Sequence, residues 1–85
     1  MEHKIEEILS ERQKTYGDFS DNAYLSQHLK TVLRNSNGWQ NLNGSHKEAL
    51  EMIMCKVSRI VSGDPSYKDS WHDIAGFATL GGEGM

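Results

Sequence analysis

Four stretches with the periodicity of α-helices make up most of this chain, and the residues that interrupt them limit what it can fold into. Proline occurs once, at Pro65, and glycines such as Gly17, Gly38 and Gly63 fall between the stretches. Because proline and glycine break regular structure, these positions separate four predicted helices, over about residues 2–14, 20–34, 45–62 and 67–80. No stretch of useful length alternates as a strand would. The sequence therefore predicts an all-α bundle of three to four helices.

The third predicted helix has the widest apolar face. Its main stripe recurs at steps of three and four residues, and further apolar residues widen it: Leu50, Ile53, Val57, Ile60, Val61, Met52, Met54 and Cys55. A helix that is apolar on more than one side is central and buried. The turn that follows is short and contains Gly63 and Pro65. We therefore expect the third and fourth helices to form an antiparallel hairpin.

Helix-capping patterns precede the last two predicted helices. Ser45 is followed three residues later by Glu48, which is a capping-box spacing, and Ser66 with Asp69 repeats it. Glu48 therefore has two interpretations, as a cap or as a functional carboxylate. The second predicted helix begins near Ser20 or Asp21, either of which suits its cap.

The segment Tyr16-Gly17-Asp18-Phe19 breaks the helical pattern between the first two helices. A glycine between an aromatic residue and an acid favours a fixed turn, in which Gly17 takes a positive φ angle. We expect Tyr16 and Phe19 to pack and Asp18 to cap the second helix. In a functional alternative, Arg12, Lys14 and Tyr16 reach a ligand held by the third and fourth helices.

Composition excludes several classes of protein. There are 12 acidic and 9 basic residues, for a net charge of −3, which argues against nucleic acid as a partner. No apolar run approaches the length of a membrane span, and the N-terminus has no apolar signal core. The single cysteine, Cys55, lies in an apolar run, which suits a reducing cytoplasm. We expect one cytoplasmic domain over residues 1–80, followed by a flexible glycine-rich tail over residues 81–85.

Charged residues gather on the third and fourth predicted helices. Four of them share one polar side of the third helix, and two more are four residues apart on the fourth: Glu48, Glu51, Lys56, Arg59, Asp69 and Asp73. One interpretation is a cluster of salt bridges that fixes the hairpin. The other is a site for magnesium and phosphate, with the four carboxylates as metal ligands and Lys56, Arg59 and Arg12 on the phosphate oxygens.

Three strings of the sequence carry a resemblance to a known family. Residues 11–19, 52–60 and 69–77 follow an "R…YGDF", "K..RI" and "D.w.DiaGY" pattern, with Phe77 where a tyrosine is usual. This pattern resembles a family of small phage and prophage proteins of unassigned function. That family is distantly similar to the all-α nucleoside triphosphate pyrophosphohydrolases of the MazG type. The resemblance implies Mg²⁺ bound by an ExxE helix and a following ExxD helix, a nucleotide substrate, and self-association.

The match to those metal-binding motifs is incomplete. Glu48 and Glu51 fit the first motif, whereas Asp69 and Asp73 are spaced by four residues instead of three. Three functions therefore stay open. They are a nucleotide-binding, magnesium-dependent pyrophosphohydrolase-like domain, a non-catalytic phage-encoded protein that modulates a host protein, and a self-assembling structural module. For the second, Trp39, Tyr67 and the 35–45 loop are the candidate interface. Because a domain this small has a thin core, we expect a homo-oligomer.

Overall fold

A computed structural model of the chain describes residues 2–83, which form four α-helices and a short 3₁₀ helix. The α-helices are α1 (Glu2–Tyr16), α2 (Phe19–Arg34), α3 (Gly44–Ser62) and α4 (Lys68–Gly82), and the 3₁₀ helix spans Trp39–Asn41. No strand is present in this part of the chain. The predicted all-α bundle is confirmed.

The third helix is the centre of the bundle, as its apolar width predicted. It packs against α1, α2 and α4, most extensively against α4. The Lys56 ammonium lies 3.0 Å from the Asp73 carboxylate, and Ala49 near the start of α3 faces Gly81 near the end of α4. The later residue of α3 thus meets the earlier residue of α4, and the earlier residue of α3 meets the later one of α4. The predicted antiparallel hairpin is therefore confirmed.

Small residues line the places where helices approach each other. The side chains that are fully or almost fully covered belong to Ala49, Ser26, Ser58 and Ser70, and Gly81 is buried against Ala49. A Cβ atom added at Gly81 would stand 2.8 Å from the Ala49 Cβ. The large apolar residues surround these contacts and are half-buried or exposed. The helices are therefore held close at a few small residues rather than around a large core.

The turn between α1 and α2 is joined directly to the end of α3. Gly17 has a φ angle of +83°, as predicted, and a Cβ atom there would stand 2.0 Å from the Ser62 carbonyl oxygen. The Asp64 N–H donates to the Thr15 carbonyl oxygen at 2.8 Å. The Asp18 carboxylate accepts the Asp21 N–H at 3.3 Å and caps α2, which confirms that prediction.

Three predicted caps are wrong. Ser20 and Asp21 lie inside α2, whose cap is Asp18. The capping box of α3 is formed by Asn43 and His46, because Asn43 Oδ1 accepts the His46 N–H at 2.8 Å and His46 Nδ1 accepts the Asn43 N–H at 3.4 Å. The helix therefore begins one residue before Ser45, and Ser45 is not its cap. At α4 the capping position is Tyr67, which makes no side-chain cap, and the Ser66 N–H instead donates to Asp64 Oδ1 at 2.9 Å.

The fourth helix runs beyond the end that the sequence predicted, since it continues through Gly82. Gly81, assigned to the tail, is buried against α3. The last two residues of the predicted tail, 84 and 85, lie outside the described residues. Within residues 2–83, no helix has both the length and the apolar character that crossing a membrane requires.

Candidate functional site

A cavity of about 390 Å³ opens between α1, the α1–α2 turn, the start of α2 and the end of α3. This volume is within the range of about 300–1,000 Å³ that is typical of small-molecule sites. Polar, charged and aromatic side chains line it together with one leucine and one glycine, and most come from the first two helices: Leu9, Arg12, Gln13, Tyr16, Gly17, Asp18, Phe19, Asn22 and Arg59. The predicted turn motif, residues 16–19, is thus one wall of this cavity.

Two guanidinium groups lie over one tyrosine ring in the cavity. The Cζ atom of Arg59 is 4.6 Å from the centroid of the Tyr16 ring, and the Cζ atom of Arg12 is 5.5 Å from it. Both distances are within the range of cation–π attraction, which fixes the guanidinium planes without neutralising their charge. Neither arginine forms a salt bridge with a carboxylate among residues 4–83. The cavity therefore presents two positive charges that retain hydrogen-bond donors for an anion, together with the Asp18 carboxylate that caps α2.

The Tyr16 ring also packs against Tyr67, the residue immediately before α4. The two rings meet edge to face, with centroids 5.8 Å apart and an angle of 85° between their planes. The Tyr67 hydroxyl donates to Asp69 Oδ2 at 3.1 Å. The negative charge and hydrogen bond of Asp69, together with contact to Tyr16, raise the pKa of Tyr67. Tyr67 therefore stays protonated and supports Tyr16 across the neutral range.

A buried hydroxyl fixes α2 against α3 behind the cavity. Ser58 is completely covered, and its Oγ lies 2.7 Å from the Asn22 carbonyl oxygen and 2.5 Å from Asn22 Oδ1. Ser58 precedes Arg59 in the chain, so this contact also sets the position of the Arg59 backbone. Asn22 and Ser58 were not among the residues predicted for the site. No local pattern marks Ser58, a serine that lies between Lys56 and Arg59 in the sequence.

The prediction that Phe19 packs with Tyr16 is wrong for Phe19, because 82% of its surface is exposed. It begins α2 immediately after Asp18 and stands at the rim of the cavity. Leu9 lines the cavity from α1 and is also exposed. An exposed aromatic ring and an aliphatic side chain beside two guanidinium groups give the cavity an apolar wall as well as a cationic one.

The third predicted phosphate-binding residue is placed elsewhere. Lys56 lies against Asp73, and only 12% of its side chain is exposed. Its charge is therefore paired within the hairpin, as the salt-bridge interpretation proposed, whereas Arg59 does not join that pair. The structure brings Arg12 and Arg59 together and separates Lys56 from them.

The four predicted metal ligands do not form one cluster in this chain. Within residues 4–83, no group of three or more His, Cys, Asp or Glu side chains is arranged to hold a metal ion. Glu51 accepts two hydrogen bonds from the Arg34 guanidinium, one of them at 3.1 Å from Nε. Asp69 and Asp73 are engaged by Tyr67 and Lys56, and Glu48 is exposed near the start of α3.

The Arg34–Glu51 pair joins the end of α2 to the middle of α3. The hydrogen bond from Arg34 is the largest influence on Glu51 and lowers its pKa, and the positive charges of Arg34 and Lys30 act in the same direction against the effect of burial. The same hydrogen bond raises the pKa of Arg34. The Glu51 carboxylate therefore stays ionised at neutral pH, in a contact with Arg34 that was not predicted from the sequence.

The two interface candidates are partly covered. Trp39, in the 3₁₀ helix, is half-buried, and Tyr67 is half-buried with its ring against Tyr16. The more exposed large apolar side chains lie elsewhere, and they include Ile5, Leu9, Phe19 and Tyr24. The role of Trp39 and Tyr67 in partner binding stays a prediction.

Comparisons with known proteins place the chain in a family but give no activity. A family model described as "Domain of unknown function (DUF6378)" matches residues 1–85. No curated protein and no solved structure matches the chain.

Proposed function

The chain belongs to the DUF6378 family of unknown function, and from the geometry of its cavity we propose that it binds a nucleotide through Arg12, Arg59 and Phe19. The observation that carries the proposal is the meeting of two arginines on one tyrosine ring. They come from helices far apart in the sequence, and no described carboxylate neutralises either of them. Paired guanidinium groups of this kind suit phosphate oxygens.

The apolar rim supports a ligand that carries a ring as well as phosphate. Phe19 presents an almost fully exposed ring at the cavity edge, where a base can stack on it. Gln13 adds an amide, and the carboxylate of Asp18 is an acceptor for a sugar hydroxyl. The cavity volume of about 390 Å³ suits a ligand of nucleotide size that is not fully enclosed.

Binding is better supported than hydrolysis. Three of the four predicted metal ligands are engaged with other side chains of the same chain, at Arg34, Lys56 and Tyr67. Magnesium-dependent release of pyrophosphate, as in MazG-type enzymes, therefore stays a prediction that rests on the sequence resemblance. The phage origin rests on the resemblance to small phage and prophage proteins, and the host-protein partner stays a prediction from the small size and acidic balance of the chain.

Calorimetric titration with a panel of nucleoside mono-, di- and triphosphates, with and without Mg²⁺, tests the proposal. We expect the Arg12→Met and Arg59→Met variants to lose affinity by at least about tenfold, which is the loss of one charge-assisted contact. Arg34→Met is the matched control, because it removes the same group outside the cavity. Phe19→Ala should weaken the binding of nucleotides and leave the binding of inorganic phosphate unchanged.

Two results would decide against the proposal. One is the absence of heat with every nucleotide for a protein that is folded. The other is equal loss of affinity in the Arg34→Met control. Assay of pyrophosphate in the same mixtures separates binding from turnover, since release that requires Mg²⁺ would restore the hydrolytic interpretation.

A further inference from the structure

The surface of the chain is larger than a compact monomer of its mass requires. Its accessible area is 6221 Å², whereas a compact monomer of 9.6 kDa exposes about 5,100 Å². The radius of gyration is 14.7 Å, against about 12 Å for a compact domain of this length. The excess of about 1,100 Å² is similar to the roughly 800 Å² that each partner of a stable dimer buries.

Part of this exposed surface is an apolar stripe along the first helix. Every side chain from Lys4 to Lys14 is exposed. Ile5, Ile8 and Leu9 are 58%, 47% and 60% exposed, and their spacing places them on one face of α1. An isolated helix of this length is marginal in water without a packing partner. This stripe therefore lacks the cover that an amphipathic helix normally has.

We propose that the stripe of Ile5, Ile8 and Leu9 pairs with the same stripe of a second copy, with the two α1 helices antiparallel. Lys4 and Glu11 lie two turns apart on one flank of the stripe, and the middle of the stripe coincides with the midpoint between them. When two copies pair about this point, Lys4 of each lies opposite the partner's Glu11. The symmetric contact thus forms two opposite-charge pairs around an apolar centre.

The same charges favour this direction of pairing over the alternative. In a parallel pair this flank of the stripe faces the partner's opposite flank, so Lys4 does not meet the partner's Glu11 and neither opposite-charge pair forms. Among the described residues of the single chain, the Glu11 carboxylate has one ion pair, an exposed contact with Lys14 at 3.4 Å, which is weak and leaves it free to reorient. Leu9 belongs to both the stripe and the cavity wall, so the second copy also covers the α1 side of the cavity.

Sedimentation equilibrium over a range of concentrations tests the pairing independently of any nucleotide. We expect a reversible dimer, with the dissociation constant raised roughly tenfold by Lys4→Glu or by Glu11→Lys, because each creates two like-charge pairs. The double variant K4E/E11K exchanges the charges and should restore the wild-type constant. In a parallel dimer Lys4 and the partner's Glu11 do not meet, so the two substitutions would act independently and the double variant would not restore the wild-type constant.

Substitution of the stripe itself completes the test. Ile8→Asp should leave only monomer at concentrations where the wild type is dimeric, while the helical content measured by circular dichroism is unchanged. Val32→Asp is the control, because Val32 is comparably exposed (54%) on α2 and should leave the dimer intact. A wild-type chain that is monomeric at all concentrations overturns the proposal, as does a dimer that survives Ile8→Asp or a double variant that is not restored. Capture of a different protein by this stripe in a chain that does not self-associate would also overturn it.

Discussion

Gly63 lies so close to Tyr16 that a Cβ atom at residue 63 would stand 2.5 Å from the Tyr16 carbonyl carbon. The same two segments are equally close at a second point, because a Cβ atom at Gly17 would overlap the backbone of Ser62. The hydrogen bond from the Asp64 N–H to the Thr15 carbonyl oxygen closes the same contact. Backbone thus packs on backbone where the α1–α2 turn meets the end of α3, and this contact positions Tyr16 under both arginines.

Alanine at either glycine should destabilise the protein. Gly63→Ala introduces a steric overlap, and Gly17→Ala adds the cost of a positive φ angle, which is about 1–2 kcal/mol by itself. Gly76→Ala is the matched control within α4, because nothing lies within 4 Å of its added Cβ, and it should stabilise by about 0.5–1 kcal/mol. Urea unfolding of the three variants measures these differences. Wild-type stability in Gly63→Ala would show that the contact is not as close as described.

The Arg34–Glu51 pair should make stability depend on pH in acid. Because the folded pKa of Glu51 is lowered, the pair stabilises the fold above the ordinary carboxyl pKa, and this contribution is lost as the pH falls through the folded pKa. Glu51→Gln should therefore lower the free energy of unfolding at neutral pH and have no effect in strong acid. Denaturation at a series of pH values follows this difference. A difference that stays constant with pH would mean that the variant acts through packing.

Removal of the carboxylate opposite Lys56 should weaken the α3–α4 hairpin. Asp73→Asn leaves a largely covered ammonium group without its counter-charge, which we expect to cost about 1–3 kcal/mol. The double variant K56M/D73N should recover part of this loss, since no unpaired charge remains. Lys14→Gln breaks a fully exposed pair and should change stability by less than about 0.5 kcal/mol. Thermal and chemical unfolding compare the four proteins, and equal losses in Asp73→Asn and Lys14→Gln would contradict this role.

The Cys55 thiol should ionise more readily than a free cysteine. Burial acts to raise its pKa, but hydrogen bonds from Ser26 and Lys30 and the charges of Lys30 and Arg59 outweigh it, so that the net pKa is lowered. Ser26 Oγ lies 3.6 Å from the sulfur. We expect Ser26→Ala and Lys30→Met each to raise the pKa, as measured by thiolate absorbance against pH. Lys47→Met is the control, and a pKa in Ser26→Ala equal to that of the wild type would rule out the hydrogen bond as a cause.

The helices could be predicted from the sequence because each depends on local periodicity. The spacing of apolar residues located α3, and Gly63 with Pro65 located the turn of the hairpin. The exact ends could not be predicted in this way. Asn43 and Ser45 both present acceptors suited to cap α3. The choice between them depends on the path of the backbone from the 3₁₀ helix into α3.

The candidate site was only partly predictable, because its residues meet through tertiary packing. Arg12 and Arg59 were assigned to one ligand, and the structure places both over Tyr16, although their phosphate-binding role stays a prediction. Lys56 was assigned with them in one interpretation, but it pairs with Asp73, as in the salt-bridge alternative. The choice depends on how α3 packs on α4, through close contacts such as Ala49 with Gly81, and periodicity alone does not specify it.

The close contact between the α1–α2 turn and the end of α3 also has a consequence for the order of folding. The α3–α4 hairpin closes a short loop, whereas the hydrogen bond that docks α1 joins residues 15 and 64, across most of the chain. Because closing a longer loop costs more chain entropy, we expect the hairpin to form first and the first helix to attach last. The cavity would then be the final part of the molecule to appear during folding and the first to be lost during unfolding.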